Sequence, residues 1–469
     1  MRTILLFLLI ALFPFTSFCQ LLNNYDTCRT QLYYIHIGSS AKETHIEKAR
    51  TVQDNGIINA GYSKQAGSQD ALIIKQSATG QIIWQKEYGN TDYDEQFTDW
   101  RELTNKQLLL GGIAKNRATL QSVFFMMLLS EDGTIIWQRS YTDIAVSSNI
   151  TYAKIYPDYY GQYFFAAQTD SAVIYGMVNS AGVNWHRSFN ANPGTKIVAA
   201  VSDYSRLLIA TNSTDSGYQV TNLYYIDYYT VSNSKNIKYS TKLGGLHQNS
   251  HYIFHDYEQL NQYTYFSGIR SVNGAPYELI RVNINQGYIR ESLETIGTPG
   301  IGIDSSTLSG INIYGDAISF TAGRKNNKLH AIKLTGSLNF PTYSIWSSTY
   351  QLPDSIVLGG NIKTWDDGYL FFGYKELPGG NKKIIQLKTD SASISPICIN
   401  RQDENNILLR NMFPPDTVRY VYNTLHGLAD FNYTASENSG IIDTLPFCRE
   451  IKCPQIPVSD SCFNSYQKL

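Results

Sequence analysis

A tryptophan-led unit that recurs about every fifty residues constrains this chain more than any other feature. Trp84, Trp137, Trp185 and Trp346 each stand four residues ahead of an aromatic: Tyr88, Tyr141, Phe189 and Tyr350. Between Trp185 and Trp346 the same slot holds Tyr239, ahead of Leu243, and Ser292, ahead of Ile296. A steady period of this length, with no helical pattern inside it, belongs to stacked or radially arranged β-units.

Each unit repeats the same parts. A hairpin turn comes first: Asp54-Asn55-Gly56, Asn105-Lys106, Asp158 to Gly161, Asp203-Tyr204-Ser205, Asn261-Gln262, Gly315-Asp316 and Asp366-Asp367-Gly368. Such residues supply positive φ and local side-chain bonds. A strand with small residues follows, at Ala60-Gly61, Gly111-Gly112, Ala166-Ala167, Ala210, Ser267-Gly268, Ala322-Gly323 and Gly373. Glycine weakens a strand unless something must approach closely there, so the recurrence marks a crowded place, read here as inner strands converging on an axis. A third, strongly apolar strand (Ala71 to Ile74 and Val123 to Leu129 are examples) leads by a turn into the fourth, which carries the tryptophan. The expected fold is all-β: an about seven-bladed β-propeller of four-stranded blades. A parallel β-helix would use shorter coils, and a string of sandwiches longer domains.

Eight segments compete for seven fourth-strand places. Gln31 to Gly38 resembles a fourth strand with Tyr33 in the tryptophan slot, and Ile394 to Asn400 resembles that of the last unit. The N-terminal strand is therefore expected to close the last blade and remove an exposed edge. Cys28 and Cys398 lie beside these two segments, and a disulfide between them is expected to fasten the ring.

The expected organisation is a signal peptide over residues 1–19, a propeller over 28–402, and a C-terminal extension or the start of a truncated further module over 403–469. Arg2, the apolar stretch Ile4 to Phe13, and Ser17 and Cys19 as small residues before Gln20 form a secretory signal. Acylation of Cys19 is disfavoured by the bulky Phe18. Secretion favours disulfides among Cys28, Cys398, Cys448, Cys453 and Cys462, although five is odd. Cys448, Cys453 and Cys462 lack the tight spacing and the histidine of a zinc knuckle. No other apolar run is long enough to span a membrane. With 38 basic against 39 acidic residues and no charge run, no nucleic-acid surface is visible.

The stretch Ile82 to Gly112 (IIWQKEYGNTDYDEQFTDWRELTNKQLLLGG), with Ile57 to Tyr62 and Trp365 to Phe372, resembles the propeller repeats of large secreted surface proteins of Bacteroidota. The resemblance covers about residues 30 to 402 and is weak from Tyr204 to Ile303. It implies a propeller displayed at the cell surface. In that family such propellers precede immunoglobulin-like modules and a sorting domain for type IX secretion, before which this chain ends. The turn Thr79-Gly80-x-x-x-Trp84 also resembles the repeats of quinoprotein dehydrogenases, where the tryptophan docks one blade on the next. Binding of pyrroloquinoline quinone would require vicinal cysteines, and this chain has none.

Candidate sites are few. His247, His251 and His255 are spaced by four, but Tyr252-Ile253-Phe254 reads as strand, which sets neighbouring histidines about 13 Å apart, too far to share an ion. Asp92, Asp94, Glu95 and Asp99 lack the glycine and terminal glutamate of a calcium loop and read as solvated carboxylates. Tyr159-Tyr160, Tyr224-Tyr225 and Tyr228-Tyr229 could line a sugar or peptide surface, yet alternation along a strand accounts for them. No hydrolase triad, phosphate loop or zinc-protease motif occurs. No catalytic, cofactor-binding or metal residue is expected, and no cofactor. The expected function is a secreted or cell-envelope binding or display module, non-enzymatic, whose partner is a surface protein or glycan and whose mature chain does not insert in a membrane. The alternative is an extracellular glycan lyase or hydrolase using the central channel.

Overall fold

The structure is a computed structural model, and it describes residues 30–452 apart from segments of one to twelve residues, the longest being 228–236, 297–308 and 419–427. Cys28 and Cys398 fall outside the described residues. The chain is an all-β propeller. Strand β1 (Thr30–Ile37) is followed by a sheet of β2 (Glu43–Thr51), β3 (Ile57–Gln65), β4 (Ser68–Gln76) and β5 (Ile82–Gly89). The next comprises β6 (Tyr93–Glu102), β7 (Leu108–Asn116), β8 (Ser122–Leu129) and β9 (Ile135–Asp143). Then come β10 (Ile150–Pro157), β11 (Tyr163–Thr169), β12 (Ala172–Asn179) and β13 (Gly182–Asn190), and after them β14 (Lys196–Asp203), β15 (Arg206–Asp215), β16 (Tyr218–Asp227) and β17 (Ile237–Leu243). Two further sheets hold β18 (Ser250–Leu260), β19 (Tyr263–Val272), β20 (Glu278–Asn285) and β21 (Tyr288–Ile296), then β22 (Ser309–Tyr314), β23 (Ile318–Lys325), β24 (Lys328–Thr335) and β25 (Ser344–Gln351). The last hairpins are β26 (Val357–Lys363), β27 (Tyr369–Glu376) and β28 (Lys382–Thr389). The inner strands touch in the order β2, β6, β10, β14, β18, β22, β26 and back to β2, which closes a ring.

The expected blade is corrected. Among the described residues, six of the sheets have five strands and that of β10–β13 has four. The extra strands come from the segment assigned to an extension: β29 (Asn400–Asp403), β30 (Leu408–Asn411), β31 (Thr417–Val418), β32 (Leu428–Phe431), β33 (Ser436–Asn438) and β34 (Thr444–Lys452). They pair antiparallel with β25, β21, β17, β9, β5 and β1 respectively. The C-terminal segment thus runs back round the outside of the ring as a belt, against the order in which the blades were laid down. It covers outer edges whose unpaired backbone groups would otherwise template aggregation. A boundary at residue 402 therefore cuts through the propeller and does not separate it from a further module.

Ring closure is corrected in detail. Strand β1 lies between β28 and β34, with Tyr34 opposite Leu387 on one side and Cys448 on the other. The place beside β28 that residues 394–400 were expected to fill is taken by β1, and Asn400–Asp403 pairs instead with Gln351 to Ser348 of the preceding sheet. At the seam between the first and last sheets, three wholly buried amides bond one another: Asn59 Nδ2 donates to Gln76 Oε1 at 2.6 Å, and Gln386 Nε2 to Asn59 Oδ1 at 3.1 Å and Gln76 Oε1 at 3.0 Å.

Three of the seven expected turns form as read, and the other four, at 158–161, 203–205, 261–262 and 315–316, lie wholly or partly outside the described residues. Asn55, Lys106 and Asp367 have φ of 67°, 63° and 62°, and each turn closes with paired backbone bonds such as Val52 N to Gly56 O. Trp84, Trp137 and Trp185 pack between sheets. Trp84 lies against a core cluster drawn from β3, β4 and β7, β8, and Tyr88 donates its hydroxyl to Gly133 O at 2.5 Å. A Cβ on Gly133 would sit 3.2 Å from Trp84, and one on Gly80 2.8 Å from Tyr33, so Tyr33 holds the tryptophan's place in the closing sheet.

Small residues recur for a reason other than axial crowding. Every inner strand carries a bulge against its neighbour, with extra residues Glu47, Thr98, Thr151, Val198, His255, Gly310 and Gly359. In four sheets the bulge pushes a carbonyl into the space of the facing side chain. A Cβ would lie 2.0 Å from His45 O at Gly61, 2.5 Å from Gln96 O at Gly112, 2.1 Å from Ile253 O at Gly268 and 2.2 Å from Val357 O at Gly373. The crowding is local to a strand pair.

Candidate functional site at the ring axis

A bulge opposes two residues to one and so breaks the strict alternation of faces. On β2, Ile46 and Ala49 are buried in the core, while Glu47 and Lys48 between them both turn away from it, in line with His45 and Arg50. On β10, past its bulge, Ala153 and Ile155 are in the core, and Tyr152, Lys154 and Tyr156 occupy the opposite face.

These faces meet across the ring. The Tyr152 hydroxyl on β10 donates to Glu47 Oε1 on β2 at 2.9 Å, passing the intervening inner strand β6. His45 Nε2 stands 3.4 Å from the other Glu47 oxygen. The Lys154 and Lys196 ammonium groups lie 5.2 Å and 5.8 Å from the centre of the Tyr152 ring, within cation–π range. Arg101 of β6 stands 5.3 Å from the Tyr156 ring and 5.5 Å from that of Tyr257 on β18, whose hydroxyl it also contacts. Contacts between sheets that are not neighbours in the ring place this cluster at the axis.

Its electrostatics favour ionised carboxylates. Burial alone pushes the Glu47 carboxyl up, but the His45 hydrogen bond and the charges of Lys154, His45 and Lys196 bring it down to about 2. Asp99, wholly buried beside the cluster, is likewise raised by burial and lowered further by Lys154, Arg101, Arg50 and Lys48. Its oxygens accept from Trp100 N at 3.0 Å and Ile155 N at 3.3 Å. Five cations therefore surround two carboxylates. The arrangement can hold an anion against aromatic faces, and neither carboxyl is held protonated as a general acid requires.

The residues singled out from sequence lie elsewhere or in other roles. Asp94 and Glu95 are on strand β6, and Glu95 is buried, not solvated: Asp94 pairs with Arg117 at 2.9 Å, and Glu95 accepts from Asn90 N at 2.9 Å. Only Asp99 of that group reaches the axial cluster. His251 and His255 are on β18, and His251 Nδ1 accepts from Gln219 N at 3.1 Å; His247 is outside the described residues. Among the described residues no three His, Cys, Asp or Glu side chains are placed to hold a metal. Tyr224 and Tyr225 are buried in different core clusters, Tyr224 with its ring 4.2 Å from that of Phe189, while Tyr159-Tyr160 and Tyr228-Tyr229 are outside the described residues. Glu47, Tyr152 and Lys154 were missed. Their signal is polar alternation in first strands, His45-x-Glu47 and Tyr152-x-Lys154-x-Tyr156.

No protein-family profile matches the chain, and no curated protein matches it in sequence. Among solved structures it is similar to a subtype N10 neuraminidase-like protein of a little yellow-shouldered bat isolate from Guatemala, at 9% identity over 62% of this chain and 95% of that one, with a TM-score of 0.38. It is also similar to the WD40 domain of SCAP from fission yeast (10% identity, 74% and 82% covered, TM-score 0.34) and to a GH43_12 protein from a capybara gut metagenome (9%, 75% and 79%, TM-score 0.26).

Proposed function

We propose that this chain is a secreted, non-enzymatic binding module of the bacterial cell surface, and that its ligand is a glycan or surface protein met at the axial cluster. One observation carries the reading: Tyr152, Lys154, Tyr156, Arg101 and Lys196 gather aromatic faces and cations from several inner strands at one place. The secretory pattern at Arg2 to Cys19 and the resemblance to surface-protein repeats of Bacteroidota support export. Screening the purified chain against glycan and extracellular-matrix arrays tests it. A specific hit that Arg101→Ala weakens is expected, and an array with no hit counts against it.

A second reading, a glycan lyase or hydrolase, is favoured by one contact: the Tyr152 hydroxyl bonded to Glu47 beside two lysines is a phenol placed for proton or glycosyl transfer. Turnover of a polysaccharide, lost in Tyr152→Phe, would replace the binding reading.

A further inference from the structure

We propose that Lys154 and Lys196, gathered round the Tyr152 ring, bind the anionic group, carboxylate or sulfate ester, of an acidic polysaccharide. The proposal rests on the reading of the chain as a binding module and names the ligand class of the same site. The two ammonium groups come from adjacent inner strands, β10 and β14, and converge to 5.2 Å and 5.8 Å from one ring centre. Lys196 is exposed at the start of β14, whereas Lys154 is buried, so Lys196 offers the contact at the surface and Lys154 adds its charge from within.

Both Glu47 oxygens are already engaged, one by Tyr152 and one facing His45, so the carboxylate orients the tyrosine beside the lysines. Among the described residues, Lys48, Arg50 and Arg101 add positive charge around Asp99, and the cluster sums to a cationic field at neutral pH. Tyr152 and Tyr156, four residues apart on one strand face with Lys154 between them, are half-buried against the neighbouring core and set beside the lysines aromatic rings of the kind on which apolar faces of sugars pack. A cationic cluster with aromatic side chains selects a charged chain over a neutral one.

The test uses the purified secreted chain and calorimetric titration with polygalacturonate, dextran sulfate and neutral dextran. Binding to one or both polyanions, weakening as salt rises and absent with neutral dextran, is the expected result. Polygalacturonate alone would assign a carboxylate, and dextran sulfate alone a sulfate ester. Lys196→Glu is expected to lower the affinity tenfold or more with an unchanged unfolding midpoint, while Lys106→Glu, the same charge change on an exposed turn, leaves it within twofold. Equal losses in the two variants, or equal binding of neutral dextran, would overturn the assignment of the anion to this site and leave the module reading standing. Failure of every glycan and protein on the arrays would remove the module reading itself.

Discussion

At Gly61, Gly112, Gly268 and Gly373 a hydrogen is all that fits between the second strand and a carbonyl displaced by the inner-strand bulge. Backbone on both sides cannot retreat as a flexible side chain would. Gly61→Ala and Gly373→Ala are each expected to destabilise the fold by about 1–3 kcal/mol, read as a lower urea midpoint at unchanged slope. Gly194→Ala, where nothing lies within 4 Å but φ is +78°, should cost about 1 kcal/mol through backbone strain alone. The small residues were legible in the sequence; their cause was not, because a bulge is set by register between two strands and leaves no residue type of its own. Glu47 is such a case, an extra residue whose role depends on Tyr152 more than a hundred positions away. Its carboxyl is depressed from an ordinary 4.5 to about 2, so the stabilisation it gives is complete above the ordinary value and is lost as pH falls toward 2. Comparing the denaturation midpoints of wild type and Glu47→Gln between pH 6 and 2.5 should show the two converging at the acid end. A constant difference would mean that the charge contributes nothing.

The belt turns on short contacts between elements distant in sequence. Gln138 on β9 accepts from Ala435 N at 3.1 Å and donates to Ala435 O at 3.3 Å, clipping the chain just before β33, and Ser436 Oγ donates to Gly89 O at 3.0 Å. Ala435 itself is buried in the core between the first two four-strand repeats. Gln138→Ala removes both bonds without touching β33, so faster hydrogen exchange and earlier proteolysis across residues 428–438 are expected, at little change in the rest of the ring. Protection equal to wild type would show that pairing along β32 and β33 suffices. Belt strands of two to four residues, such as Thr417–Val418 and Ser436–Asn438, carry no periodicity that a reading of the sequence could find. The blade strands did, because six to eleven residues of alternating or continuously apolar character bounded by turns leave a pattern, and Tyr33 filled a recognisable slot. Residues 403–469 instead read as an extension or the start of a further module, since their order comes from edges supplied by other strands.

For the whole molecule, the two ends of the described chain meet in one sheet: β1 is held by β28, the last strand of the ring proper, and by β34, the last of the belt. Chain start, ring end and belt end are thereby joined by one set of backbone bonds, and the buried amides of Asn59, Gln76 and Gln386 lock the same seam from the inside. Cooperativity of the ring should then depend on the belt. A chain ending after Asp403 keeps β29 but loses β30 to β34, which leaves the outer edges β1, β5, β9, β17 and β21 unpaired. Such long edges pair with one another between molecules. The shortened chain is expected to melt at a lower temperature, to unfold over a broader transition and to form higher oligomers in light scattering. Adding residues 404–469 back as a separate peptide should restore a monomer if pairing to those edges is the belt's role. A shortened chain that stays monomeric with the full-length unfolding midpoint would mean that the inner strands and the β1–β28 pairing close the ring without it.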